Sequence, residues 1–371
     1  MTEQRQPRRA SAARRSLFPL AWRAVEQLRL EPAAARYVVP RLRLLEPSVE
    51  AFERAETRVE AAAAALAGSR EPIVVGPFLS EVGVEVLYWI PFLRRLAHRF
   101  ELDPSRLVAV SRGGVASWYS GVCDRYVDIF EFLEPHEFRG ALEQWWAEQG
   151  GQKQFAVGAF DRRLADAAAE RLDLGGHELL HPSTMIELFS KYWLQRVPLR
   201  KVLPHLEHRP FSAIDGESLV GGLPTEFTAV RFYFRETFPD TPRNRHLVAS
   251  LVRRLAARGP VVLLDTGLEV DDHSAVPVPD LEAVLRPLVG VAPEDNLGAQ
   301  SAVLARATSF IGTYGGLCYL ANAYGVPAFA LVDSPTRKLG LSHTPIARRL
   351  STATGAPLSI VATTALEALA A

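Results

Sequence analysis

The stretch PIVVGPFLSEVGVEVLYWIPFLRRL, residues 72–96, joins a short apolar strand to a long apolar helix. The strand ends at Gly76-Pro77, and the helix that follows carries Glu81 and Glu85 near its start. A strand that passes directly into a helix is typical of a parallel sheet covered by helices. Such sheets bind ligands beyond the carboxyl ends of their strands, so both carboxylates lie where chemistry is expected.

The same alternation of apolar strands and helices runs through two parts of the chain, which predicts two parallel sheets. In the first part, the predicted strands are 72–76, 107–111, 127–130, 154–159 and 178–182, with helices at 83–99, 135–149, 161–171 and 184–195. In the second part, the predicted strands are 227–234, 260–266, 288–292, 309–313 and 327–333, with helices at 243–257, 297–306 and 316–324. We therefore expect an α/β fold of two Rossmann-like lobes.

A stretch rich in proline, glycine and polar residues, from Pro198 to Pro224, separates the two series and predicts the domain boundary. A chain of 371 residues exceeds the usual size of one core, which also favours two lobes. The predicted division is an N-terminal helical extension (1–70), a first lobe (71–200), a linker (201–224), a second lobe (225–345) and a C-terminal helical segment (346–371).

The overall composition is that of an ordinary globular protein, without a strong net electrostatic field. The formal net charge is zero, which gives no reason to expect a nucleic-acid partner. Cys123 and Cys318 are the only cysteines and belong to no Cys/His cluster, so a disulfide scaffold and a structural zinc site are not expected. No apolar run has the length of a membrane span or follows the pattern of a signal peptide, which makes the cytoplasm the expected location.

The first 43 residues are strongly basic, with ten arginines against three glutamates. Apolar side chains are interleaved with these arginines at roughly helical spacing. One interpretation is an amphipathic surface that attaches the protein to the anionic inner face of a membrane. The alternative is a basic tail followed by a helix packed on the body of the protein.

Two arginines lie at the end of the first strand of the second lobe, in AVRFYFR (229–235). Arg231 and Arg235 are four residues apart and share one face of a regular strand. The planar guanidinium group matches phosphate oxygens in pairs, so the two side chains could bind one diphosphate. Salt bridges with nearby surface acids are the alternative interpretation.

A glycine-rich turn, IGTYGGLCYLANAYGVP (311–327), joins another strand to a helix. Backbone N–H groups at such a helix start, with about half a unit of positive charge from the dipole, suit a diphosphate. The residues assigned to this donor side, besides the arginines, are Thr266, Gly267, Thr313, Gly315 and Gly316. Tight strand-to-helix packing would equally require glycine. The P-loop and dinucleotide-binding motifs are both missing, which disfavours ATPase and dehydrogenase functions.

The first lobe offers candidate residues for an opposite, acceptor side. Arg112 stands in the glycine-containing loop SRGGVASWY (111–119), where close backbone approach is possible. His181 and Lys191 belong to the segment HELLHPSTMIELFSKYW (177–193). A helix start after His181 explains this last segment equally well.

The segment LARATSFIGTYGGLCYLANAYGVPAFAL (304–331) resembles the donor site of GT-B glycosyltransferases such as the bacterial heptosyltransferases. In that family an acid follows the first strand and a proline stands six residues later, a spacing that Glu85 and Pro91 share. The resemblance implies that Glu85 is the general base. Glu81, in the same first turn, is the reserve candidate. The arginine-bearing strand is similar to that of fucosyltransferases of this architecture, which implies that Arg231 contacts the donor diphosphate.

Departures from the family leave the donor sugar open. Heptosyltransferases have an Asp-Ser-Gly turn and a later histidine, where this chain has Tyr314, Gly315, Gly316 and Tyr319. For Glu81 and Glu85 the alternative to a catalytic role is helix capping, because an acid in a first turn is stabilised by the dipole.

These observations together predict a nucleotide-sugar-dependent glycosyltransferase that acts on a glycan or lipid-linked acceptor. The resemblance to GT-B enzymes implies that no metal is needed, since in that class protein cations and a helix end neutralise the leaving diphosphate, and no metal or other cofactor is expected here. A sugar-nucleotide epimerase of the same architecture and a non-catalytic nucleotide-sugar-binding protein are the alternatives.

Overall fold

The computed structural model describes residues 48–149, 153–194, 196–212, 214, 221–235, 237–268, 274–333 and 343–368. Within these ranges the strands form two parallel sheets and one small antiparallel pair. The predicted α/β fold with two Rossmann-like lobes is therefore confirmed. The basic segment 1–43 lies outside the described residues, as does part of the predicted linker.

The first sheet has the strand order β3-β2-β1-β4, with every neighbouring pair parallel. Its strands are β1 (Ile73–Val75), β2 (Leu107–Ser111), β3 (Arg125–Asp128) and β4 (Glu178–Leu180). Each residue of β1 is buried, as expected for a central strand covered on both faces.

The strand predicted at 154–159 does not exist; this part of the chain is irregular. Its buried Gln154 instead holds the loop that follows β1. The side-chain oxygen accepts a hydrogen bond from the Leu79 N–H at 2.9 Å, and the side-chain nitrogen donates to the Pro77 carbonyl at 2.8 Å. The apolar composition of this run predicts a strand, whereas the side-chain bonding of Gln154 that determines its structure leaves no periodic signal in the sequence.

The second sheet has the order β12-β11-β10-β5-β7-β9. Its strands are β5 (Thr228–Arg231), β7 (Val261–Leu263), β9 (Val284–Leu285), β10 (Ser309–Thr313), β11 (Ala328–Val332) and β12 (Leu358–Ala362). The remaining pair consists of β6 (Tyr233–Phe234) and β8 (Ser274–Ala275).

Three sequence predictions for this lobe need correction. The strand predicted at 227–234 breaks at Phe232, because its last two residues pair antiparallel with β8. The segment 288–292 is not a strand, and β9 occupies that place in the sheet. The segment 346–371, predicted to be helical, contributes β12, which pairs in parallel with β11.

The helices flank both sheets. They are α1 (Ser48–Gly68), α2 (Val82–Val84), α3 (Ile90–Phe100), α4 (Pro135–Gln149), α5 (Ala159–Arg171), α6 (Pro182–Trp193), α7 (Leu199–Val202), α8 (Pro242–Ala256), α9 (Asn296–Arg306), α10 (Gly316–Ala323), α11 (His343–Thr354) and α12 (Thr363–Ala368). A π-turn, Glu85–Trp89, joins α2 to α3 without interruption. None of the described helices is both long enough and apolar enough to cross a membrane.

One apolar core runs through both lobes. Buried side chains of β1, the π-turn, α9 and α10 belong to the same cluster. Polar contacts reinforce it, since the Trp118 indole donates to the Ser301 hydroxyl at 2.9 Å and the Phe211 N–H donates to the Ala323 carbonyl at 2.8 Å. A large apolar interface of this kind disfavours free movement between lobes.

Candidate active site

A cavity of about 530 Å³ lies between the two sheets. Its lining comes from the residues that follow β1, β2 and β3 in the first lobe and from the ends of β5, β7 and β10 in the second. The carboxyl ends of parallel strands are where open α/β sheets bind ligands. The volume is that of a small-molecule site.

The two lobes approach each other closely at one edge of this cavity, where Gly83 meets Gly316. A Cβ atom at Gly316 would lie 2.8 Å from the Gly83 nitrogen, and one at Gly315 would overlap the Tyr233 hydroxyl. Gly316 is also the first residue of α10, so its N-terminus borders the cavity. The glycine-rich turn therefore allows close packing, as the alternative interpretation required, and lines the cavity as well.

Arg231 and Arg235 both line the second-lobe wall. Arg231 makes an ion pair with Asp265, with 3.0 Å between guanidinium nitrogen and carboxylate oxygen. Burial alone would lower the pKa of Arg235, but the neighbouring Tyr233 and Glu81 raise it above its ordinary value. Arg235 therefore remains a cation. Its charge interacts across the cavity with the carboxylate of Glu81 in the first lobe.

Glu81 lines the cavity from the first lobe with 43% of its side chain exposed. It stands at the N-cap position of α2 but makes no side-chain capping hydrogen bond. Its carboxylate lies 3.7 Å from the Lys153 ammonium group, which also lines the cavity.

Glu85, the acid predicted to be the general base, is fully buried and is not part of the cavity wall. Its Oε1 atom accepts hydrogen bonds from the Ser111 hydroxyl at 2.7 Å and the Tyr119 hydroxyl at 2.6 Å. Burial raises the pKa of this carboxyl, against the lowering effect of Arg112 and the two hydroxyls. In this structure Glu85 cannot touch an acceptor.

Arg112 lines the cavity, as predicted, and also supports the loop that carries Glu81. Its guanidinium donates to the Phe78 carbonyl at 3.0 Å and to the Ser80 carbonyl at 2.6 Å. These two bonds fix the backbone directly before Glu81.

The remaining predicted residues divide between the cavity and the scaffold. Thr266 lines the cavity and donates to Asn296 Oδ1 at 3.1 Å. Gly267, with φ of 76°, forms the turn after β7 and is not in the lining. Thr313 is buried and bonds through its hydroxyl to the backbone N–H and carbonyl of Tyr233, at 3.1 Å each.

His181 and Lys191 are buried away from the cavity. The His181 ring lies 3.2 Å from an Asp161 carboxylate oxygen and accepts a hydrogen bond from the Ser183 N–H at 3.1 Å. It therefore caps α6, which is the alternative that the sequence also allowed. Lys191 lies within the same helix with 4% exposure.

Sequence reasoning missed several residues of the wall. They include the polar residues Lys153, Tyr233, Asn296, Gln300 and His343 and the apolar residues Leu79, Phe130, Phe138, Leu142 and Trp146. No motif or spacing connects them, because they come from separate loops and helices. Among the described residues, no group of three histidine, cysteine, aspartate or glutamate side chains is placed to hold a metal ion.

No protein-family model and no curated protein matches this chain. Among solved structures, a family 9 glycosyl transferase from Veillonella parvula DSM 2008 is similar at 14% identity, covering 81% of this chain and 88% of that one, with a TM-score of 0.40. The Escherichia coli ADP-heptose lps heptosyltransferase II is similar at 13% identity over 78% and 90%, TM-score 0.40. A UDP-GlcNAc 2-epimerase from Methanocaldococcus jannaschii is similar at 9% identity over 79% and 88%, TM-score 0.36. At these values the likeness assigns no activity.

Proposed function

We propose that this protein is a glycosyltransferase that takes its sugar from a nucleotide-sugar donor. The observation that carries the proposal is the pairing of opposite chemistry across one cavity. Arg231, Arg235 and the N-terminus of α10 stand on one side, and the accessible carboxylate of Glu81 stands on the other. Transfer of a sugar from a diphosphate needs a cationic site for the leaving group and a base for the acceptor hydroxyl.

The second-lobe wall binds the donor in this proposal. Arg235 contacts a diphosphate oxygen, since no carboxylate among the described residues forms an ion pair with it in the way that Asp265 does with Arg231. Backbone N–H groups at Gly315 and Gly316 add the positive end of α10. These groups stabilise the charge that develops as the bond between the anomeric carbon and the phosphate oxygen breaks. The proposal requires no metal, which activity in the presence of a chelator tests.

Glu81 takes the place of Glu85 as the general base. A base must come within hydrogen-bond reach of the proton that it removes, and only Glu81 of the two acids borders the cavity. The acceptor oxygen attacks the anomeric carbon while its proton passes to the Glu81 carboxylate, and the nucleoside diphosphate leaves with the bonding electrons. Lys153 and Arg112 hold the acid and its loop in position.

The experiment is a screen of nucleotide sugars for stabilisation of the folded protein, followed by product analysis with each donor that binds. A ligand at about 100 times its dissociation constant stabilises a protein by roughly 2.7 kcal/mol, a shift that thermal unfolding detects. Release of nucleoside diphosphate supports the transferase. Arg235→Ala should weaken donor binding at least tenfold, with exposed Arg253 of α8 as a matched control for loss of one arginine.

The same screen decides between the alternatives. A changed sugar on an intact nucleotide, without any acceptor, would identify an epimerase. Donor binding without turnover, with every acceptor tried, would identify a non-catalytic nucleotide-sugar-binding protein. No donor binding to the wild-type protein would overturn the proposal altogether.

A further inference from the structure

The first-lobe end of the cavity differs in chemistry from the rest. Five of its side chains are apolar: Leu79, Phe130, Phe138, Leu142 and Trp146. They come from the loop after β1, the turn after β3 and helix α4. We refer to them as the apolar wall.

The apolar wall offers no evident hydrogen-bonding group to a ligand. The only polar side-chain atom among the five residues, Trp146 Nε1, is buried away from solvent. The Leu79 N–H is already used, because it donates to Gln154 Oε1 at 2.9 Å. Hydroxyl groups of a polyhydroxylated sugar that face these five side chains would have no partner there, at a cost for each.

The apolar wall is backed by the hydrophobic core of the first lobe. Leu79, Phe138 and Leu142 are almost completely buried and belong to the compact apolar cluster of the first lobe. Phe130 and Phe138 contact each other edge to face, with ring centroids 5.5 Å apart and planes at 83°. This part of the lining is therefore aromatic and backed by the core of the first lobe, which suits one compact ring better than a long chain.

We propose that the acceptor carries a ring-sized apolar group beside its reactive hydroxyl, and that the apolar wall binds this group. The inference rests on the proposed transferase function and names its acceptor class. Glu81 lies in the same cavity, directly after the loop residues that begin with Leu79. A ring held against Phe130 and Trp146 therefore places its hydroxyl near the base, with the donor on the far side at Arg235.

The test compares acceptors with the donor found in the screen. Benzyl alcohol and cyclohexylmethanol are two sources of the same apolar chemistry, and methyl glucoside is the polyhydroxylated comparison. We expect kcat/KM for at least one of the apolar alcohols to exceed that for methyl glucoside tenfold or more. The better of the two identifies whether the group is aromatic or aliphatic. Equal or faster transfer to methyl glucoside overturns the inference while leaving the transferase intact.

Substitutions in the apolar wall test whether it causes the preference for apolar alcohols. Trp146→Ala should raise KM for the preferred alcohol at least fivefold, while the KM for donor stays within twofold, and Trp146→Phe should recover most of the loss. Phe130→Ala, at a second partly exposed position, repeats the test if Trp146→Ala does not fold. Phe329→Ala removes an exposed aromatic of the second lobe and should change neither value. An unchanged alcohol KM in both wall variants overturns the inference.

A failure of the proposed function is distinguishable from a failure of this inference. If no donor is consumed with any acceptor, the transferase proposal fails. Ligand-observed NMR with benzyl alcohol then still tests whether the apolar wall binds an apolar ring. Binding that is lost in Trp146→Ala supports the site, and no binding to the wild-type protein overturns it.

Discussion

Two successive turns of one helix place a glutamate in opposite surroundings. Glu81, at the start of α2, is 43% exposed, borders the cavity and lies 3.7 Å from the Lys153 ammonium group. Glu85, at the start of the π-turn, is fully buried and bonded to Ser111 and Tyr119. Residues four apart share one side of a helix, so their different fates come from what covers each turn.

The second turn is covered because both lobes pack on it. The Leu87 carbonyl accepts a hydrogen bond from the His208 Nε2–H at 3.0 Å, and the Tyr88 hydroxyl hydrogen-bonds the His343 ring at 2.8 Å. The end of β2 and the turn Ala116–Tyr119 close over Glu85. The first turn of the helix therefore borders the cavity, whereas the second is enclosed by these contacts.

The largest effect is expected from Glu81→Gln, which keeps the size of the side chain and removes its ability to take a proton. General-base catalysis contributes about 10²–10⁴-fold, so turnover should fall by that factor. Donor affinity should stay within about twofold, because the donor lies on the opposite wall. Steady-state kinetics and donor titration measure the two quantities, and a Glu81→Gln enzyme with normal turnover would remove the base from this turn.

Glu81 and Glu85 also show how much of the site can be predicted from the sequence. The sequence predicted both glutamates and ranked Glu85 first, whereas only Glu81 lines the cavity, because a motif spacing gives the position along a helix and not what packs over it. β2, β10 and α4 appear with the predicted bounds, since buried parallel strands and long amphipathic helices have strong periodic signals. The apolar wall, assembled from three separate segments, could not be predicted in this way.

Acidification should loosen the second turn, because two partly buried histidines contact it. Burial lowers the pKa of His208 and of His343 to about 4 each, whereas an unfolded histidine titrates near 6.5. The unfolded chain therefore binds more protons between these values, so stability is complete above pH 6.5 and is lost as the pH falls towards 4. Each histidine contributes up to about 3 kcal/mol to this loss.

Urea unfolding between pH 7 and pH 4.5 measures the effect. His208→Gln, which keeps an N–H donor for the Leu87 carbonyl, should flatten the decline in the free energy of unfolding. His246→Gln, at an exposed position of α8, is the control and should leave the decline as it is. An unaltered slope in His208→Gln would mean that the acid sensitivity has another source.

Gly316→Ala should disturb the contact between the first turn and the second lobe. The added Cβ would lie 2.8 Å from the backbone nitrogen of Gly83, so one of the two segments must move. Overpacking of this kind typically costs about 1–3 kcal/mol of unfolding free energy. Donor KM should also rise, since Gly316 begins the helix whose N-terminus borders the cavity.

Gly68→Ala is the matched control for this substitution, because nothing lies within 4 Å of a Cβ atom at that position. Thermal unfolding of both variants and the donor KM of each decide the outcome. A Gly316→Ala protein with the stability and the KM of Gly68→Ala would show that the lobes tolerate separation at this edge.

The smallest effect is expected from Glu85→Gln. The amide oxygen can accept the hydrogen bonds of Ser111 and Tyr119 that Glu85 Oε1 accepts now. The raised pKa of Glu85 means that its contribution to stability is greatest at low pH and declines as the pH rises above 4.5, so an uncharged amide should leave the stability at pH 7 within about 1 kcal/mol of the wild type. Turnover should stay within twofold.

Glu85→Leu leaves both hydroxyls without an acceptor and should lower the free energy of unfolding by about 1–3 kcal/mol, as expected for a structural position. Loss of turnover in a folded Glu85→Gln protein, with normal turnover in Glu81→Gln, would reverse the roles of the two turns and require the buried carboxyl to become exposed during catalysis.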